Sequence, residues 1–278
     1  MTMPLMVDPR RVSSRLQYAR KVAIVVARDP ADGLDNIRQR VRAWGGVRYH
    51  YAVQGGWEER LHRWLGDPWP CPAANDFNGL WPDVVDTVTA QGLAVGRGTY
   101  DRWDDGNRAL ARVVWCLTQH VQPRHVVETG VARGITTRVI LEGLERNGDG
   151  HLWSIDLPPP NTSLHNQIGA AVPTHRRRRW TYLKGSSRRH LPDLLAALGE
   201  IDLFVHDSLH TERNVRFEMD EAWRALRPGG VLVADDITSN WGFGSFTRSA
   251  AGRQWLVGQH EDRQGLFGVV LKEPGRLV

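Results

Sequence analysis

Residues 125–157 read HVVETGVARGITTRVILEGLERNGDGHLWSIDL, and the fold is decided there. A short apolar run, Val126-Val127, enters the turn Glu128-Thr129-Gly130-Val131-Ala132-Arg133-Gly134. Ile135, Val139, Ile140 and Leu144 then recur at helical spacing, and after Gly148 and Gly150 a second apolar run ends on Asp156. Strand, glycine turn, helix and strand with a terminal carboxylate form the first half of a nucleotide-binding α/β sheet. Gly130 can take a backbone conformation closed to residues with a Cβ, and Gly134 lets a ligand or a neighbouring backbone come close. The helix that starts there directs its free N–H groups and positive dipole end at whatever occupies the turn. Asp156, 22 residues after Gly134, stands where a carboxylate accepts hydrogen bonds from ribose hydroxyls.

The spacing is E-x-G-x-x-x-G, with Ala132 where a dinucleotide fingerprint has its second glycine. A carboxylate at Glu128 suits a cationic ligand better than a diphosphate. The alternative is an ordinary βαβ unit whose glycines serve packing alone. In these residues the chain resembles the class I S-adenosylmethionine-dependent methyltransferases. The resemblance extends over about residues 105–272. It implies an enzyme whose cofactor turn is shaped by Glu128, Gly130 and Gly134, with Asp156 on the ribose and Ser186 beside the cofactor.

Outward from this stretch, residues 180–184, 201–205 and 231–234 read as further strands, separated by helical patterns at 191–198 and 211–226. A weak helix is expected up to about residue 171, and Arg227-Pro228-Gly229-Gly230 is a strong turn signal. Gly242 and Gly244 fall in a predicted loop, and 254–258 and 266–271 are strands with little helix between them. A helix over 107–120 leads in and is stopped by Pro123. The pattern predicts an α/β, Rossmann-like, doubly wound and mostly parallel sheet with an antiparallel last strand. The resemblance adds that the sheet has seven strands.

Residues 1–105 differ in texture, with helical patterns at 12–27, 34–44, 57–65 and 84–93 and no visible strand alternation. They are predicted to form a helical N-terminal extension, and 106–278 the cofactor-binding domain. Trp44, Trp57, Trp64, Trp69 and Trp81 read as packing residues. Tyr100 and Trp103, just before the core, are placed to touch cofactor or substrate.

Composition is that of a globular protein, with 41% hydrophobic and 24% charged residues. The N-terminus shows neither a secretory signal nor a membrane span, so a cytoplasmic location without membrane attachment is expected. Cys71 and Cys116 lie far apart, which indicates neither a disulfide framework nor a thiolate zinc site, and Cys116 reads as a core residue. Net charge is +5, yet only three of the 36 basic residues are lysines. The cluster His175-Arg176-Arg177-Arg178-Arg179 reads either as a solvated loop or as a patch for an anionic substrate or RNA backbone.

Ligands of such a sheet sit beyond the carboxyl ends of its strands. Those ends carry Glu128, Asp156, Ser186, Asp207 and Asp235-Asp236. Three carboxylates in one place repel unless a cation or protons compensate, and hard divalent ions take such oxygen ligands. Two readings stand for Asp207, Asp235 and Asp236: ligands of Mg²⁺, or caps and polar lining of the helices that follow. His210 is either a general base beside Asp207 or a structural residue, while His206 and His125 read as satisfied core histidines. The run from Asp207 to Asp236 resembles the macrocin O-methyltransferase and cephalosporin hydroxylase-like branch. The resemblance implies Mg²⁺-assisted O-methylation of a small-molecule hydroxyl, on a sugar or another natural product, with Asp207 or His210 taking the proton. A metal-independent enzyme with His210 as base and an RNA methyltransferase are the alternatives, with a nucleotide-binding scaffold or an NAD-dependent oxidoreductase, which Ala132 counts against, as the reading from a different class. A homo-oligomer is compatible with the sequence.

Overall fold

The computed structural model describes residues 50–101, 103–249, 253–261 and 265–273, with scattered residues between 23 and 38. The chain divides into two units, residues 1–47 and 48–278. In the first, the described residues are helical, and the helices expected over 12–27 and 34–44 fall largely outside them.

The second unit opens with α1 (Trp57–Leu65), α2 (Pro72–Thr89) and a hairpin of β1 (Gly96–Tyr100) and β2 (Trp103–Asp105). Then follow α3 (Arg108–Val121), β3 (His125–Thr129), α4 (Ile135–Asn147) and β4 (His151–Asp156). After two short 3₁₀ turns come β5 (Trp180–Lys184), α5 (Ser187–Leu198), β6 (Ile201–His206), α6 (Glu212–Ala225) and β7 (Leu226–Ala234). The chain closes with α7 (Gly242–Arg248), β8 (Arg253–Gln259) and β9 (Leu266–Lys272).

Seven strands form one sheet in the order β5-β4-β3-β6-β7-β9-β8. Every neighbouring pair is parallel except those made by β9, which runs antiparallel to both β7 and β8. This is the predicted doubly wound sheet, and its reversal of strand order lies between β3 and β6. Alternation divides the core. Val126, Leu152, Leu203, Val205 and Val231 pack under α3 and α4, whereas Val127, Ile155, Phe204 and Leu232 pack under α5 and α6. Each such side chain removed from water contributes roughly 1.5–3 kcal/mol.

Local chemistry sets the element ends. Asn107 caps α3 by accepting from the amides of Ala109 and Leu110. Gly134 and Gly148 bracket α4 in the left-handed region.

Three expectations are corrected. The region before residue 106 is not wholly helical, because 96–105 forms the β1–β2 hairpin. The turn expected at 227–230 is absorbed into β7 as an irregularity: Ile201 pairs with Leu226 but Leu203 with Val231, and Gly229 takes a positive φ of 78°. Gly242 and Gly244 lie in α7 and not in a loop.

Candidate functional site

The parallel ladder carries on past the strand ends and sets five of them at one level. Gly130 N–H donates to Ile155 O, Asp207 N–H to Thr129 O and Asp235 N–H to His206 O, each at 2.8 Å, and Gly185 N–H donates to Asp156 O at 2.9 Å. The residues that follow β3, β4, β5, β6 and β7 therefore share one rim, as the sequence predicts. A Cβ at Gly130, whose φ is 87°, would stand 2.0 Å from Asp207 O. Gly130 thus serves the close approach of the Asp207 loop. Gly134, at φ 80°, faces Gly169 Cα in the same sense at 3.0 Å.

Glu128 lies below the turn and is fully buried. Its Oε2 accepts from Thr137 Oγ1 and Ser154 Oγ, both at 2.7 Å, and Ser154 in turn accepts from Trp180 Nε1 at 2.9 Å. Burial pushes its carboxyl up to about 8, against the pull of these two hydroxyls. Oε1 has no hydrogen-bond partner. The side chain shapes the floor of the turn.

Asp156 closes β4, and burial raises its carboxyl to about 7 although the Val131 amide donates to it. Around it stand Tyr100, from the hairpin, and Tyr182, from β5, whose phenols are pushed up by burial and then by the charge of Asp156. Both hydroxyls are buried without a hydrogen-bond partner. Tyr182 also lines a cavity of about 340 Å³ together with Pro158, His165, Trp180 and Lys184. A desolvated carboxylate and two orphaned hydroxyls suit a ligand bearing hydroxyls and ring nitrogens. Ser186 is buried at the N-cap position of α5, on the same rim. Trp103, by contrast, is 58% exposed.

The hairpin is fixed to the turn by Arg133, which the sequence reading passed over. Its guanidinium, buried with Asp105, donates to Ala94 O and Thr99 O at 2.8 Å, to Asp105 Oδ2 at 3.0 Å and to Gln167 Oε1 at 3.1 Å. The signal was a cation set inside a glycine turn that otherwise calls for small residues.

On the other half of the rim the acids divide. Asp235 Oδ1 pairs with His260 Nε2 at 2.9 Å, and ligand atoms of Asp235, Asp236 and His260 lie within 4.8 Å of one another. His210 stands between the remaining pair, 3.6 Å from Asp207 Oδ1 and 3.6 Å from Asp236 Oδ2. Burial opposes charge on His210, but Asp207 and Asp236 prevail and raise it to about 9. Capping does not account for these acids: Thr211 caps α6, and Asp236 makes no side-chain cap bond to the 3₁₀ turn after it. His260 was also missed; it leaves β8 and reaches Asp235 only through the β7-β9-β8 strand order.

Below the rim on the α6 side, Glu218 accepts from Thr129 Oγ1 and His206 Nδ1 at 2.5 Å, Ser208 Oγ at 2.7 Å and Asn214 Nδ2 at 2.9 Å. Burial raises its carboxyl, but His206 and the hydroxyl donors outweigh that and bring it down to about 2. It locks β3, β6 and the Ser208 loop to α6. An acid on the apolar stripe of Val215, Met219 and Ala222 was the readable sign. His206 is accordingly buried against Glu218, and His125 bonds Glu200 O at 2.8 Å. The arginine cluster is engaged within the chain: Arg176 with Glu142, Arg178 and Arg179 with Glu145, and Arg177 over the Trp180 ring.

Among the described residues no helix is long and apolar enough to cross a membrane. Residues 127–237 match the family model of a methyltransferase domain. The solved structures that share the fold include two with bound ligand. Rv0187 from MTB, solved with bound cofactor, is 18% identical, with a TM-score of 0.52 over 69% of this chain and 88% of the other. An O-methyltransferase from Bacillus cereus, in complex with SAH, is 16% identical, with a TM-score of 0.50 over 77% and 97%. No curated protein matches the chain.

Proposed function

We propose that this chain is a class I S-adenosylmethionine-dependent methyltransferase that moves the methyl group to a hydroxyl oxygen of a small molecule, a reading supported by the methyltransferase-domain match over residues 127–237. A sugar or another natural product is the acceptor class, and its hydroxyl lies at the Asp207–His210 side of the rim. The observation that carries this reading is one of adjacency. Asp156 and the acid–imidazole group of Asp207, His210, Asp235 and Asp236 stand on ends of the same hydrogen-bonded sheet.

In this reading Asp156 accepts from the ribose hydroxyls, and the hydroxyls of Tyr100 and Tyr182 gain the partners they lack. The open amides at the start of α4 suit the carboxylate of the amino-acid part. Methyl transfer breaks the carbon–sulfur bond, whose electron pair stays on sulfur, while an oxygen lone pair forms the new bond to carbon. The hydroxyl proton passes to the Asp207–His210 pair. Holding oxygen, carbon and sulfur in line supplies most of the acceleration.

Asp235 and Asp236 fit a divalent cation, with His260 within reach and Asp207 on the far side of His210. Mg²⁺ bound there would hold the acceptor oxygen and ease loss of its proton. One observation favours a metal-free variant: His210 already compensates Asp207 and Asp236. The assay is release of S-adenosylhomocysteine with hydroxylated sugars and phenols, before and after chelation. Activity lost with EDTA and restored by Mg²⁺ supports the cation; activity that survives leaves the Asp207 carboxylate as proton acceptor, with the charged His210 ring beside it. An RNA acceptor is disfavoured because the arginine cluster is spent on Glu142 and Glu145.

A further inference from the structure

Away from the rim, the chain's two cysteines and two of its histidines meet. His62 comes from α1, Cys71 stands at the N-cap of α2, and Cys116 and His120 lie one turn apart on α3. Ligand atoms of His62, Cys71 and Cys116 lie within 4.8 Å of one another, and all three residues are buried. His62 Nε2 is 2.9 Å from Cys71 Sγ, and His120 Nε2 is 3.4 Å from the same sulfur.

The outer nitrogens fix what the inner ones carry. His62 Nδ1 faces Glu58 O at 2.7 Å, and a carbonyl only accepts, so Nδ1 bears the hydrogen. His120 Nδ1 faces Asp67 Oδ2 at 2.9 Å, with the same consequence. With Nδ1 carrying the hydrogen, the neutral form of each ring presents an Nε2 lone pair to Cys71 Sγ. A thiol has one hydrogen, already too few for two such lone pairs, and the Ala74 amide donates to this sulfur as well, at 3.3 Å. A metal ion resolves the mismatch by accepting from both nitrogens and both sulfurs.

We propose that His62, Cys71, Cys116 and His120 bind one soft or borderline divalent ion, zinc in the first place, as a closed structural site. Two thiolates and two imidazoles are the ligand set such an ion takes in tetrahedral geometry. Bonds of about 2.3 Å to sulfur and 2.0–2.1 Å to nitrogen put neighbouring S and N atoms roughly 3.5 Å apart. The His120–Cys71 separation matches, His62 has to withdraw by roughly half an ångström, and His120, which lies outside the close group of the other three, has to swing in to complete the set. Holding a ligating histidine's second nitrogen with a carboxylate or a carbonyl is the usual way its ring is oriented. The site would fasten α1 and the start of α2 to α3, the first helix of the methyltransferase domain. It is independent of the reaction at the rim.

The test uses the full chain purified without chelator under reducing conditions. Elemental analysis is expected to give about one zinc per chain. Replacement by Co²⁺ is expected to give the intense visible bands of a tetrahedral site together with thiolate-to-metal charge transfer. Cys71→Ala with Cys116→Ala should lose the zinc, whereas Asp236→Asn, at the rim, should keep it. Should the double variant fail to fold, the Co²⁺ spectrum of the unaltered chain decides. Absence of both zinc and a thiolate–cobalt band, or zinc kept by the folded double variant, overturns the site.

Discussion

Arg133 Nη1 lies 3.0 Å from Asp105 Oδ2, and both side chains are about 5% exposed or less. This buried pair joins the centre of the glycine turn to the hairpin that precedes the sheet. Burial raises the Asp105 carboxyl against the pull of Arg133, so the acid depends on its partner. Arg133→Met is predicted to cost about 3–5 kcal/mol in urea unfolding, since it strands a buried acid. Adding Asp105→Asn should recover a large part of that loss. A single variant within about 1 kcal/mol of the parent would show that the pair does not hold the hairpin.

Tyr100 carries a buried hydroxyl without a protein partner beside Asp156. Tyr100→Phe removes an unsatisfied polar atom, so the melting temperature should stay or rise. Affinity for S-adenosylhomocysteine should fall about tenfold, the worth of one hydrogen bond to a bound ligand. A lower melting temperature with unchanged affinity would place the hydroxyl outside the cofactor site.

Two buried glutamates shift in opposite directions and give opposite pH signatures. Glu218 drops from 4.5 to about 2, so its contribution is complete above pH 4.5 and is lost as pH falls towards 2. Glu218→Gln should destabilise the fold at neutral pH and flatten that acid limb. Glu128 rises from 4.5 to about 8. Its unfolded form releases a proton in this window while the folded form keeps it, so stability declines as pH rises from 4.5 to 8. Glu128→Gln should remove the decline, as read from urea midpoints at pH 5 and pH 8. Parallel pH profiles for variant and parent would contradict either assignment.

At the rim, Asp236→Asn removes one proposed cation ligand and one of the two acids beside His210. Methyl transfer should drop about 10²–10⁴-fold, the range of a lost positioning or acid–base group, with S-adenosylhomocysteine binding kept. Loss of cofactor binding in step with activity would move Asp236 to the cofactor side.

What the chain discloses before folding depends on whether the cause is local. The β5 and β6 strands are short runs between turn residues, and the glycine turn with Asp156 carries its own spacing. Asp207, Asp235 and Asp236 were legible because each ends a readable strand. The β1–β2 hairpin was not: Gly96-Arg97-Gly98 has little strand character, and what holds it is Arg133, some 30 residues later. Arg227–Gly230 carries every mark of a turn, yet pairing with β6 on either side of it draws it into β7 as a bulge. His260 joins Asp235 through strand order alone. Cys71 and Cys116 have no motif spacing, and three helices bring them together with His62 and His120.

The central claim is that S-adenosylmethionine binds where Asp156 meets the glycine turn. Calorimetric titration with S-adenosylhomocysteine, using the parent chain and Asp156→Ala, tests it most directly. One site per chain is expected, weakened about 10- to 100-fold in the variant, as hydrogen bonds to a charged acceptor imply. No binding to the parent chain, or equal affinity in Asp156→Ala, would contradict it.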